Sequence, residues 1–387
     1  MMHKIISFCL LLTAVPLLLN SAEPVLLKRT EKQTEDKNVL RWFPTDGAMI
    51  AVTPDEVILS GKRLEIGPHT SFRELGPGFF GLQFHDGEQT SLEWFDPQGD
   101  PVGAFRESWP YDVALPRYFI DRTSGNAISI DMLNRIRLIS PAGTIISESD
   151  MFRDYRYHNE NTIHALVTES GQDVFACLTQ VAPHRGDLPA YVTRIKYFGL
   201  NGETRFEHEL NGWQVNAVAG RTDGSLFAVS LYKHDPAARN FTFEVLVIDP
   251  SGSITDRFNA SFRDLVFCGP DHVLLLNKDT AIIYDLKVKN ISGTYRQSDP
   301  DRILMTAEYV DTEKMIVVEE GRLAKNQYGW YYDNISLLAF NMQAGLIEQV
   351  PLDGNSVTQP FLRYEPEQRQ IFLGHRTGWI TYQLNRQ

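Results

Sequence analysis

Cysteine is scarce. The chain of 387 residues holds three, and one of them, Cys9, lies inside an N-terminal apolar run. Cys177 and Cys268 stand in the apolar runs VFACLT and LVFCGP and read as small buried residues. Two cysteines cannot build a disulfide framework, and a chain this long needs none. Positive charge is in short supply too: 37 Lys and Arg face 49 Asp and Glu, for a net charge of -12. Phosphate backbones require clustered Lys and Arg, so this balance argues against nucleic acid as a partner. After the N terminus no run approaches the roughly 18 apolar residues of a membrane span. The nucleophile elbow G-x-S-x-G, the Walker loop and the zinc helix H-E-x-x-H are all missing. The ten histidines show no zinc spacing. No metal site and no cofactor is evident, and no catalytic residue can be named.

What is present begins with a leader. Lys4 supplies a positive start, Ile5 to Leu19 an apolar core, and Asn20-Ser21-Ala22 a cleavage site before Glu23. Residues 1–22 therefore read as a secretory signal peptide, with an uncleaved anchor as the alternative. The expected location is periplasmic or extracellular. Residues 23–38 (EPVLLKRTEKQTEDKN) are polar and aperiodic and read as a flexible arm.

From Val39 onward the pattern is β throughout. The stretch Trp213 to Phe258 shows the unit most clearly, with four strand-like runs (QVNAVAG, SLFAVSLY, FTFEVLVI and SITDRF) separated by turns. Asp249-Pro250-Ser251-Gly252 carries the turn chemistry: Asp caps, Pro presets φ, and Gly accepts positive φ. The first hairpin of each unit turns at Pro77, Ser124, Gly171, Asp223, Pro270, Thr312 and Pro366, a repeat of about 42 to 54 residues. Four strands at that period predict an all-β fold, a β-propeller of four-stranded antiparallel blades occupying residues 39–387 as one domain. Seven blades is the simplest count, with six or eight following if one weak unit is misassigned. A strand near RLEIG (Arg63 to Gly67) is expected to complete the last blade and close the ring.

The turns after the third strand, as in FDPQGDPVGAF and VIDPSGSITDRF, resemble those of NHL-like and bacterial surface propellers. The sharper signatures of the class are missing. There is no Trp-Asp pair, no Tyr-Trp-Thr-Asp, no kelch double glycine and no sialidase Asp-box.

Propeller geometry places the loops between second and third strands, and those between blades, on one face. The long ones are residues 179–190, 232–240 and 322–334, with inter-blade connections 106–116 and 149–162. Binding concentrates where a rigid scaffold carries long connections. Arg153, Tyr155, Arg156, Tyr157 and His158 offer forked donors between flat rings. Trp109 and Tyr111, His184 and His234, and Trp330 with Tyr331 share that face. The expectation is a binding protein for a small molecule, carbohydrate or protein. The alternative is a lyase, lactonase or glycoside-acting hydrolase at the channel mouth.

Overall fold

A computed structural model describes residues 26–33, 39–45, 48–59, 61–76, 78–110, 112–182, 190–221, 223–235, 239–327, 329–352 and 355–384. These residues form eight four-stranded antiparallel sheets. In chain order blade I spans residues 41–65, blade II 70–108, blade III 117–150, blade IV 162–211, blade V 214–258, blade VI 264–296 and blade VII 302–352. Blade VIII takes three strands from residues 362–384 and its fourth from Leu26–Gln33.

The ring thus has one blade more than the simplest count. The extra unit is blade I, whose four strands are only four or five residues long. RLEIG does not close the ring. Its strand, Lys62–Glu65, pairs with Glu56–Leu59 as the outer edge of blade I. The closing strand comes from the segment expected as an arm, and runs antiparallel from Leu26 opposite Leu384 to Gln33 opposite Gly378. An outermost strand has one bonded neighbour and no blade on its outer edge, so a polar sequence such as LLKRTEKQ can fill it. Leu26 is buried and joins the core between blades VII and VIII.

Strand position dictates composition. Second and third strands are covered on both faces by neighbouring blades, so AISI in blade III is buried at every residue and FAVSL in blade V likewise. The fourth strand of blade III, Ile145–Asp150, is exposed at every residue. The core is a set of seams between blades. Phe175 of blade IV stacks on Phe227 of blade V at 4.3 Å between ring centroids. Burying one such side chain is worth roughly 1.5–3 kcal/mol. Between blades VIII and I the Trp42 indole donates to the His375 carbonyl at 2.8 Å. The indole lies so close that a Cβ on Gly374 would meet Trp42 Cδ1 at 2.2 Å.

The turns from third to fourth strand repeat one device. Asp96 Oδ1 accepts from the amides of Gln98 and Asp100, Asp249 Oδ1 from those of Ser251 and Ser253, and Asn341 Oδ1 from those of Gln343 and Gly345. Gly99 and Gly252 take the left-handed position of this turn in blades II and V, at φ 75° and 89°. Cys177 and Cys268 are buried and free, on strands of blades IV and VI. Burial pushes the Cys268 thiol up to about 12.

Candidate functional site

Where the expected long loops are described, nearly all of their residues continue the strands on either side. In blade IV the pairing of Asp173–Ala182 with Ala190–Gly199 continues to Ala182 opposite Ala190. In blade V it runs to Asp235 opposite Asn240, and in blade VII to Asn326 opposite Gly329. The second strand of blade III has four residues; that of blade VII has twelve. Three blades therefore raise hairpin arms on the face where recognition was expected, and the arms are stiffened by ladder hydrogen bonds.

The blade V arm carries an aromatic wall. Tyr232 pairs with Phe243 and His234 with Phe241. These four share a sheet face with Ala228, Val245 and Val247, which pack onto blade VI. The second-to-third hairpin of blade VI is short, so the rings overhang it uncovered: Phe241 is 55% exposed and Phe243 39%. Phe241 lies 5.2 Å from His234, 6.0 Å from Tyr232 and 6.4 Å from Phe243, centroid to centroid. A cavity of about 420 Å³ opens beneath, lined by Val215, Asn216, Tyr232, Phe241 and Phe243. The Tyr232 hydroxyl donates to Gln214 at 3.1 Å and the Asn216 amide to the Phe262 carbonyl at 2.7 Å. Lys233 lies over the Trp213 ring at 4.7 Å. On the blade VII arm Trp330 is 60% exposed with Lys325 over its ring, and Tyr331 is half-buried.

The loop from Arg153 to His158 is pinned rather than free. Asn134 bonds both the amide and the carbonyl of buried Phe152. The Tyr155 hydroxyl donates to the Met132 carbonyl, the Tyr157 hydroxyl to that of Asp112, and the Asn161 amide to that of Arg156. The Arg153 carbonyl accepts from Arg194. Arg153, Arg156, Tyr157 and His158 stay exposed; Tyr155 packs on the core between blades III and IV. Trp109 is 3% exposed and spends its N–H on the Val113 carbonyl, so it braces the connection and presents no surface. Tyr111 and His184 lie outside the described residues. Of the expected residues only His234 joins the aromatic wall. Tyr232, Phe241 and Phe243 were read as a loop and its flanking strand; their signal was the alternation in NFTFEVLV, which continues the strand through the assumed loop end.

A second polar region lines the central channel, and sequence reading missed it. Every blade contributes to it from its first strand: Arg41, Arg73 with Glu74, Arg117, His164, Asn216, Asp264, Glu308 and Arg363. Arg41 is paired with Glu74. Burial, and then the field of Arg117, hold the Arg73 guanidinium and the His164 imidazole below their ordinary values. Glu308 is raised to about 7, first by burial and further by Asp264, against the Tyr364 amide and Arg363, which favour its charge. Burial likewise raises Asp264. A cavity of about 470 Å³ opens here between Arg41, Glu74, Glu308 and Arg363. Among the described residues no three His, Cys, Asp or Glu side chains cluster as a metal site would. The glycines at Gly76, Gly78 and Gly81 have dinucleotide-loop spacing, yet they flank a β-hairpin, and a Cβ on Gly81 would strike Leu92 at 2.7 Å. They serve packing, with no helix to receive a phosphate.

No family model and no curated protein matches the chain. Among solved structures it is similar to the Dos1 propeller, with a TM-score of 0.62 at 8% identity, covering 93% of this chain and 96% of that one. A likeness at that identity carries fold and not activity. The chain is an eight-bladed β-propeller.

Proposed function

We propose that the protein is an exported binding module, periplasmic or extracellular, that holds its ligand on the face bearing the three arms. Tyr232, Phe241 and Phe243 of blade V form the contact centre. The observation that carries this reading is the exposure of Phe241 and Phe243, at 55% and 39%, on paired strands rather than a mobile loop. Clustered aromatic rings left in water gain when a partner covers them, and such rings dominate binding energetics. The cavity beneath suits a sugar ring or an apolar side chain of a protein partner, with Asn216 and the Tyr232 hydroxyl at its edge. The experiment is a glycan and peptide array probed with the native protein and with Phe241→Ala/Phe243→Ala. The double variant is expected to lose at least about tenfold in affinity, the order for truncating two contact residues, with unchanged melting. Equal binding by both proteins overturns the reading.

A second reading is favoured by Glu308, raised to about 7 beside Asp264 and Arg363. A carboxyl poised near neutrality can act as general acid or base, which fits a lyase, lactonase or glycoside-acting hydrolase. Under this reading Glu308→Gln abolishes turnover in a screen of lactones, uronates and glycosides and leaves array binding intact. Turnover that survives the substitution removes it.

A further inference from the structure

We infer that the central channel holds an oxyanion site, built by Arg73, Arg117 and His164 on the inner strands of blades II, III and IV, for a small ligand carrying a carboxylate or a phosphate. This inference rests on neither functional reading above.

Three basic groups stand on the first strands of consecutive blades, Arg117 close enough to act on both Arg73 and His164, and among the described residues none of the three has a carboxylate partner. Among the described residues neither the Arg117 nor the His164 side chain has a hydrogen bond or an ion pair. Arg73 has a neutral partner, donating through Nε to Gln83 Oε1 at 2.6 Å. Glu74, its chain neighbour, is engaged by Arg41. Elsewhere on the surface Arg63, Arg194, Arg205 and Arg257 each have a carboxylate. The Arg73 and Arg117 charges repel, and an anion bound between them relieves that repulsion, with the His164 imidazole as a neutral donor.

The arrangement is also braced. Gln83 is 1% exposed. Its Oε1 holds Arg73, and its Nε2 donates to the carbonyl of Pro116, the residue before Arg117, at 3.3 Å. One buried amide thus ties the two guanidinium-bearing strands across the seam between blades II and III. Such bracing holds the Arg73 guanidinium and the backbone entering Arg117, and so sets side by side two forked donors of the kind that recognises carboxylate and phosphate.

The ring gives the site a direction. With eight blades, blade VI stands opposite blade II and blade VII opposite blade III. Asp264 and Glu308 therefore face Arg73 and Arg117 across the channel. The field draws an anion to the arginine side and repels it from the other, so the channel has one place for it.

The test is a melting titration of the purified protein at fixed ionic strength, with sodium phosphate or sodium acetate replacing sodium chloride. The proteins compared are the native one, Arg117→Gln, Arg73→Gln and, as a surface-charge control, Arg296→Gln on the outer strand of blade VI. One or both anions should raise the melting temperature. The half-saturating concentration should rise at least about tenfold in the two channel variants and stay unchanged in Arg296→Gln, as expected for loss of a charge-assisted contact. Without anion, Arg117→Gln should melt at or above the native temperature, which separates lost binding from lost fold. Tighter binding of phosphate assigns phosphoryl ligands, and of acetate carboxylates. Phe241→Ala/Phe243→Ala should respond as the native protein does. No shift with either anion overturns the inference, as does one half-saturating concentration shared by native protein and channel variants.

Discussion

Blade III holds two arginines that live by opposite rules. Arg137, on its third strand, is 2% exposed in the seam with blade II. Its guanidinium meets both oxygens of Glu107, at 2.7 and 2.8 Å, with Ser129 and Asp131 at 3.4 and 3.5 Å. Glu107 is the main reason Arg137 is held above its ordinary value despite burial. Arg117, on the first strand, is exposed and has no hydrogen bond or ion pair among the described residues. The seam excludes water, so a charge there is stable only when its partners replace the lost hydration. Arg117 is exposed, so its charge needs no protein partner. Structural charge and available charge are thus separated by strand position within one blade.

Glu319 is the exception that sharpens the contrast. It lies in the seam between blades VII and VIII, fully buried, with no side-chain partner for either oxygen among the described residues. Burial holds its pKa well above the ordinary glutamate range, with the Phe361 amide the one group favouring the charge. A seam carboxylate without partners loses its charge by taking up a proton.

The largest expected effect comes from breaking the partnered charge. Arg137→Ala strands Glu107, while Asp131 keeps Arg135 at 2.9 Å, and should cost about 3–5 kcal/mol, the order found when one member of a buried pair is removed. Urea unfolding measures it, and adding Glu107→Gln should recover part of the loss. Next is Glu319. Its folded pKa exceeds its unfolded one, so the fold loses stability as pH climbs from the unfolded value toward the folded one. Glu319→Gln should therefore match the native protein near pH 4 and exceed it at pH 8, by roughly 1–3 kcal/mol, the scale for a buried unsatisfied group. Glu308 has the same sign in a narrower window, from the ordinary glutamate value up to about 7. Melting curves of Glu308→Gln should coincide with native at pH 4 and rise above it by pH 8, by less than in Glu319→Gln. Arg117→Gln should change stability by less than about 0.5 kcal/mol, as surface substitutions do. A large loss there would erase the distinction between seam and channel.

The fold was legible because turn chemistry is local. Asp96 to Gly99 and Asp249 to Gly252 announce a hairpin within four residues, and the period of such turns announces the ring. Blade I escaped the count because strands of four or five residues hold too little alternation to stand out. The closing strand escaped because an edge position places almost no demand on sequence. The arms were expected between second and third strands, where they stand, and read as loops because polar residues such as Lys233 and Asp235 hide a ladder that the described residues keep. The channel was illegible for a different reason. Arg73, Arg117 and His164 are neighbours only because three blades bring their first strands to one axis, and each is an ordinary residue where it stands in the chain.

The pairing of Leu26–Gln33 with Gly378–Leu384 also has a meaning in time. It joins the two ends of the described chain, the longest-range contact the fold possesses, and such contacts form late because the whole intervening loop must be ordered first. Seven blades can assemble as the chain emerges, each from its own consecutive strands. The eighth must wait with its first-made strand idle until the last-made ones arrive, so the ring is latched at one place and at one moment. Blade VIII is then where an unfolding ring should first come apart.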